Sequence, residues 1–243
     1  PAERYAVDVT PTGTSPVVLV NRVRALDHLY GKFVQQEDTL GVLAVAATPS
    51  PLTPHQAPGL ISAPEAPRDA EVRGEGELVP ALTLEFGLRT ANLPFVTERM
   101  MVLDSAYFHP VEWSGTMPMM NWATSVRQAQ WFVRDVATGR ENDAAGFTVR
   151  RGDTRVLRLV NTRNTIHAMQ HPIHLHGQRF VVLAVNGRAV EPANRAWKDT
   201  VLLPAGGTVD ILVEFANPGR WMLHCHIAEH VESGMMTTFV VED

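Results

Sequence analysis

The sequence predicts an all-β protein, a sandwich or barrel of antiparallel strands, on three observations. Short runs rich in Val, Leu, Thr and Phe recur along the chain. Gly, Pro, Asn and Asp bound these runs, and turn residues arrive about every ten positions. Apolar patterns of helical period, by contrast, are scarce. A chain patterned this way buries its apolar side chains by laying sheet on sheet.

The strand-like runs begin with "RYAVDV" (4–9), "SPVVLVNRV" (15–23) and "TLGVLAVAA" (39–47). The texture then changes to "TPSPLTPHQAPGLISAPEAPRDAEVRGEGELVP" (48–80), loaded with Pro, Ala, Gly and Glu and without a period. Residues 49–79 therefore read as an interdomain linker or surface-crossing connection. Residues 1–48 supply about three strands, too few to close a sandwich, and are expected to be the C-terminal remnant of a preceding domain. Residues 80–243 continue with "ALTLEFGLRT", "GFTVRR", "TRVLRLVN", "RFVVLAVNG", "DTVLLP", "TVDILVEF" and "MTTFVVED", enough for a complete domain. No internal repeat is evident.

Bulk properties exclude several classes of function. A chain of 243 residues can bury a hydrophobic core. Its net charge of -5 and lack of a Lys/Arg run give no basic footprint for nucleic acid. Apolar stretches such as "FVVLAV" (180–185) fall far short of the ~20 residues that span a bilayer. The single cysteine forms no internal disulfide, and the start "PAERYAVDV" shows no signal peptide.

Two segments concentrate metal-ligand chemistry. "HAMQHPIHLHG" (167–177) and "HCHIAEHVESGM" (224–235) hold seven of the ten histidines and the only cysteine, so metal binding has to be weighed first. On a strand, side chains alternate faces. His224 and His226 then point one way and Cys225 the other. The same parity puts His174 and His176 on one face and His171 on the opposite one. Two back-to-back sites follow. Cys225, His171, His230 and Met235 give one thiolate, two imidazoles and a thioether, the donor set of a blue-copper electron-transfer site. Zinc favours other sets. His174, His176, His224 and His226 are all imidazole, which suits copper, zinc, iron or nickel; copper is favoured because the first site favours it. A lone HxH is often a surface strand and a lone buried Cys a small hydrophobe, but both together, at this spacing and with Met235, point to metal. Gly177 and Gly234 are read as allowing close backbone approach or special dihedrals beside the ligands, with ordinary turn glycines an equal alternative.

At these residues the sequence resembles the multicopper oxidases, the family of laccases, ascorbate oxidase, bilirubin oxidase and bacterial cuprous oxidases. "HPIHLHG" and "HCHIAEHVESGM" look like the two copper signatures of that family's last cupredoxin domain. "NPGRWMLHCH" and "WKDTVLLPAGGTVDILVEF" are similar to the same domain, so the likeness covers 80–243. More weakly, "PAERYAVDV" is similar to the end of the preceding cupredoxin domain in three-domain members. The resemblance implies a cupredoxin-like Greek-key β-sandwich, preceded by a partial cupredoxin domain and a linker. It makes His171, Cys225, His230 and Met235 the type 1 copper ligands, His174 a type 2 ligand, and His176, His224 and His226 type 3 ligands. It further implies an oxidase that takes single electrons from a phenol, another organic donor or a metal ion and reduces O2 to water, in the periplasm or outside the cell. Cys225, His224 and His226 would be the catalytic link, because Cys225 is covalently adjacent to both histidines.

The family's first-domain signatures, HxHG and HxH, are missing; outside the two segments only His28, His55 and His109 remain. The chain is therefore expected to hold a full type 1 site and half of the cluster ligands. Upstream cupredoxin domains, on the same protein or another chain, are the expected partners. A blue-copper carrier without oxygen chemistry is the alternative, and the paired histidines argue against it; copper nitrite reductase, a further reading, requires fewer histidines than are present. Weaker candidates are read conservatively. Glu229 and Glu232 form a solvated acidic loop rather than a substrate guide. The methionines of "MPMMNW" (117–122) fill core gaps rather than bind cuprous ion. His167 is a surface-loop residue and Asp199 a strand-end cap, with orientation of a ligating imidazole the other possibility.

Overall fold

The computed structural model describes residues 13–27, 32–45, 79–96, 98–99, 112–114, 127–163, 165 and 169–243. Its strands are β1 (Val17–Asp27), β2 (Lys32–Leu43), β3 (Leu82–Thr90), β4 (Glu112–Ser114), β5 (Ala129–Asp135), β6 (Phe147–Arg150), β7 (Thr154–Asn161), β8 (His171–Leu175), β9 (Arg179–Val185), β10 (Arg188–Ala189), β11 (Thr200–Leu203), β12 (Thr208–Glu214), β13 (Gly219–Cys225) and β14 (Met236–Glu242). One short helix, α1 (Ala228–Glu232), interrupts the last two. "RYAVDV", "MPMMNW", His28, His55, His109, His167 and most of the linker lie outside the described residues.

A six-stranded sheet of order β10-β9-β12-β7-β3-β5 and a five-stranded sheet of order β11-β8-β13-β14-β6 share one core. Alternation explains how. Leu84, Phe86 and Leu88 of β3, Val209, Ile211 and Val213 of β12, and Leu223 and Cys225 of β13 occupy every second position and are all buried in that core. Each large side chain taken from water there contributes about 1.5–3 kcal/mol. This is the sandwich that the strand pattern predicts, and it has the cupredoxin-like form that the resemblance implies. A second, smaller cluster of Val181, Leu183 and Leu212, with Val156 and Trp197 against it, lies apart from the main core.

The strands are not all antiparallel. Within the sandwich β3 pairs with β7 and β14 with β6 in parallel, because neighbours in sequence such as β6 and β7 belong to opposite sheets. The corner between them is tied by Arg151 N–H to the Glu242 carbonyl at 2.6 Å and Gly152 N–H to the Phe215 carbonyl at 2.8 Å. β1 and β2 form a separate antiparallel ribbon, whose third strand, β4, pairs in parallel with β1 although it follows residue 80 in the chain. The strand runs read from the sequence omitted β5, "AQWFVRD", whose buried Trp131, Phe132 and Val133 are consecutive and do not alternate.

Candidate metal centre

β8 and β13 are hydrogen-bonded neighbours, with His224 opposite His174 and Cys225 opposite Ile173. β11 flanks β8 on its other side and sets Thr200 opposite His174. This register puts His174 between Thr200 and His224 in one row. His171, Ile173 and Leu175 turn inward, so the strand parity read from the sequence holds.

Beyond Cys225 the chain turns through α1 and returns. His230 N–H donates to the Ile227 carbonyl at 3.1 Å, Met235 N–H to the His230 carbonyl at 2.8 Å, and Cys225 N–H to the Met235 carbonyl at 3.1 Å. These bonds fold His230 and Met235 back onto Cys225. Gly234 makes the return possible: its φ is +117°, and a Cβ there would lie 2.8 Å from the Trp131 carbonyl oxygen. Gly177, at φ +65°, lies directly against the Trp221 ring. Both glycines are therefore required by conformation and by space.

His171, Cys225, His230 and Met235 are buried to 2% exposure or less. His171 Nδ1 is 3.2 Å from His230 Nδ1, and the Cys225 Sγ lies 3.5 Å from the first of these rings' partners, His230 Nδ1, and 3.9 Å from His171 Nδ1. Among the described residues, this is the His/Cys/Asp/Glu group whose donor atoms converge closely enough to hold a metal ion. Metal bonds of ~2.0 Å to imidazole and ~2.3 Å to thiolate set such donors about 3.3–3.7 Å apart at tetrahedral to trigonal angles. The observed spacings are close to that range, so the residues fit a bound ion. Met235 shares the core cluster with Cys225. Burial pushes the Cys225 thiol up to about 12, against backbone hydrogen bonding from Ile227 and His226. A metal cation that takes the thiolate must therefore displace a proton.

The second group lies on the other face. His176 Nε2 and His224 Nε2 are 2.9 Å apart. The His174 ring centroid is 4.7 Å from that of His176 and 5.6 Å from those of His224 and His226. His174 Nδ1 lies 2.9 Å from the Asp199 carbonyl and 2.9 Å from Thr200 Oγ1. With Nδ1–H donating there, Nε2 keeps its lone pair for a metal. His224 Nδ1 likewise donates to the Cys225 carbonyl at 2.6 Å. Desolvation lowers the His224 pKa; that backbone bond opposes it, and repulsion from His176 and His226 adds to it. His224 is thus harder to protonate than an ordinary histidine, which favours the neutral, ligand-competent ring.

Of the eight expected ligands, His171, Cys225 and His230 converge their donor atoms, Met235 is buried in the same core cluster as Cys225, and the rings of His174, His176, His224 and His226 neighbour one another at centroid distances of 4.7–5.7 Å. The structure places Glu229 and Glu232 on the exposed side of α1. Asp199 does more than cap a strand, since its carbonyl accepts from His174 and its carboxylate accepts the Thr200 hydroxyl at 3.0 Å. Two neighbours escaped the sequence reading: Thr200, whose side chain meets His174, and Trp131, which stacks on His230 with ring centroids 3.8 Å apart. Nothing in the local sequence signals either contact, because both depend on pairing across strands.

The fold and the buried His–Cys–His group define a cupredoxin-like domain with a transition-metal donor set. Residues 112–243 match the family model described as multicopper oxidase. The chain belongs to the multicopper oxidase family. It is 40% identical over 90 residues to a multicopper oxidase of Staphylococcus epidermidis, covering 37% of this chain and 20% of that protein. It is 28% identical over 168 residues to Laccase-6 of Arabidopsis thaliana, covering 63% of this chain and 28% of that one. A solved multicopper oxidase from Campylobacter jejuni, titled a metallo-oxidase, superposes with a TM-score of 0.53 at 16% identity, over 94% of this chain and 41% of that one. That likeness bears on the fold alone. The matched segment spans about a fifth of the length of the S. epidermidis relative.

Proposed function

We propose that the chain is the type 1 copper domain of a multicopper oxidase and supplies half of a trinuclear copper cluster. His171, Cys225, His230 and Met235 hold the type 1 copper. His174 serves the type 2 position, and His176, His224 and His226 serve the type 3 pair. When bound, copper supplies one-electron chemistry, drawing electrons from a phenol, another organic donor or a metal ion and reducing O2 to water.

The residues of this chain provide the fixed frame. The convergence of Cys225 Sγ with His171 and His230 Nδ1 in a buried pocket carries the reading. Cys225 also joins the two groups: its peptide is bonded to His224 and His226, and its carbonyl accepts the His224 Nδ1–H at 2.6 Å. A pure electron carrier needs only the first group. The row of His174 opposite His224 favours the oxidase. The remaining cluster ligands come from upstream cupredoxin domains of the same protein or of another chain, and the setting is periplasmic or extracellular.

Copper loading tests the reading. The loaded protein is expected to show an intense visible thiolate-to-copper band that Cys225→Ser abolishes. Co-expressed with the upstream cupredoxin domains, His176→Ala is expected to leave that band in place and to remove O2 uptake with a phenolic donor. A colourless copper-loaded protein overturns the type 1 assignment, and O2 uptake undiminished in His176→Ala overturns the assignment of the second group.

A further inference from the structure

We infer that Trp131 is a positioning residue for His230: its indole locks the imidazole with Nδ1 turned toward Cys225, and thereby sets copper affinity and reduction potential at the buried site. The inference rests on the reading that this site holds copper. It begins from a weakness in the local structure. His230 is carried by α1, which has five residues. So short a helix does not hold its own shape. The orientation of the His230 ring must come from what packs on it.

Trp131 covers its face, while His171 and Cys225 meet its Nδ1 edge. The indole and the His230 ring stack at 3.8 Å between centroids with planes 26° apart. The same indole meets His171 edge-on at 5.2 Å and 77°. One side chain therefore touches both imidazoles of the group, face to one and edge to the other. Trp131 is itself 1% exposed and sits opposite Leu88 in the β3–β5 ladder. Its freedom is small.

The backbone at Trp131 is braced from the metal side as well. Its carbonyl oxygen abuts Gly234, in the turn that returns the chain from α1 to Met235. Asn142 closes the same corner, accepting the Val133 N–H on Oδ1 at 3.0 Å while its Nδ2 faces Gly234. The ring of Trp131 thus holds His230, while its carbonyl bounds the turn whose Met235 N–H bonds the His230 carbonyl. A core filler would add stability but would leave the ring orientation of His230 and the metal's potential unmoved. That difference separates the two roles.

The first measurement needs no metal. In the metal-free wild-type protein the ring protons of His230 are expected to be shifted upfield by the indole face. Trp131→Phe should retain part of that shift and Trp131→Leu should lose it. In the copper-loaded protein Trp131→Leu is expected to bind copper about 10- to 100-fold more weakly, as when a ligand loses its outer-shell support, and to show a changed midpoint potential. Trp131→Phe should stay close to wild type on both counts. Should Trp131→Leu not fold, Trp131→Met makes the same comparison with a flexible chain that cannot stack. Ordinary His230 shifts in the wild type overturn the locking by themselves, whatever the variants do. Wild-type affinity and potential in a folded non-stacking variant also overturn the proposal. A wild type that shows the shifted His230 protons but never develops the copper band overturns the copper reading instead.

Discussion

Burial leaves Cys225 without solvent to stabilise a thiolate, and its pKa is pushed up to about 12. The metal-free thiol is thus protonated throughout the physiological range and enclosed by core side chains. It is expected to resist alkylation at neutral pH in the folded protein and to react once the protein is unfolded. Copper binding should release a proton, detectable as a dependence of apparent affinity on pH. Rapid alkylation of the folded, metal-free protein would contradict this picture. His224 titrates in the opposite sense. Its folded pKa is lowered chiefly by desolvation, so protonation is easier in the unfolded chain. Stability from this source is complete above the ordinary histidine value of about 6.5 and is lost as pH falls below it. The unfolding midpoint of metal-free protein should drop with acid in that range, and His224→Gln should flatten the drop. An unchanged acid profile in that variant would assign the loss to other groups.

Among the elements, those that carry the site were legible to different degrees. The ligands on β8 and β13 could be sorted by parity because a strand alternates faces whatever its neighbours do. The alternation of Leu84, Phe86 and Leu88 marks β3 in the same way. What α1 does was not legible, since five residues carry no period and His230 is placed by packing on Trp131. The parallel pairs β3–β7 and β6–β14 were hidden for a related reason: they depend on which sheet each strand joins. The turn after α1 offers a test. Gly234 has φ +117° and would set a Cβ 2.8 Å from the Trp131 carbonyl, whereas Gly139, at φ +69°, has nothing within 4 Å. Both substitutions to Ala incur the positive-φ cost of roughly 1–3 kcal/mol. Only Gly234→Ala also displaces backbone beside the ligands. It should therefore lower the denaturation midpoint more than Gly139→Ala and alter the copper band, which Gly139→Ala should not. Equal midpoints and an unaltered band would show that the turn is not constrained as described.

At the scale of the whole molecule, the two ligand groups differ in how self-contained they are. The first is enclosed: His171, Cys225, His230 and Met235 all lie inside the sandwich. The second is open, with His226 exposed and His174, His176 and His224 only partly covered. On the proposed reading of this group as half of a copper cluster, it is expected to gain its cover, and its remaining ligands, from elsewhere. The 243-residue chain alone is accordingly expected to bind copper at the enclosed group and to develop the visible band without consuming O2. Co-expression with upstream cupredoxin domains, joined or as a second chain, should restore O2 uptake with a phenolic donor and raise the copper content per chain. His176→Ala should remove the restored uptake and spare the band. Copper stoichiometry measured beside O2 consumption makes the result decisive, because turnover by the isolated chain would require copies of it to complete the cluster for one another, and their association would then appear as a copper-dependent oligomer in solution.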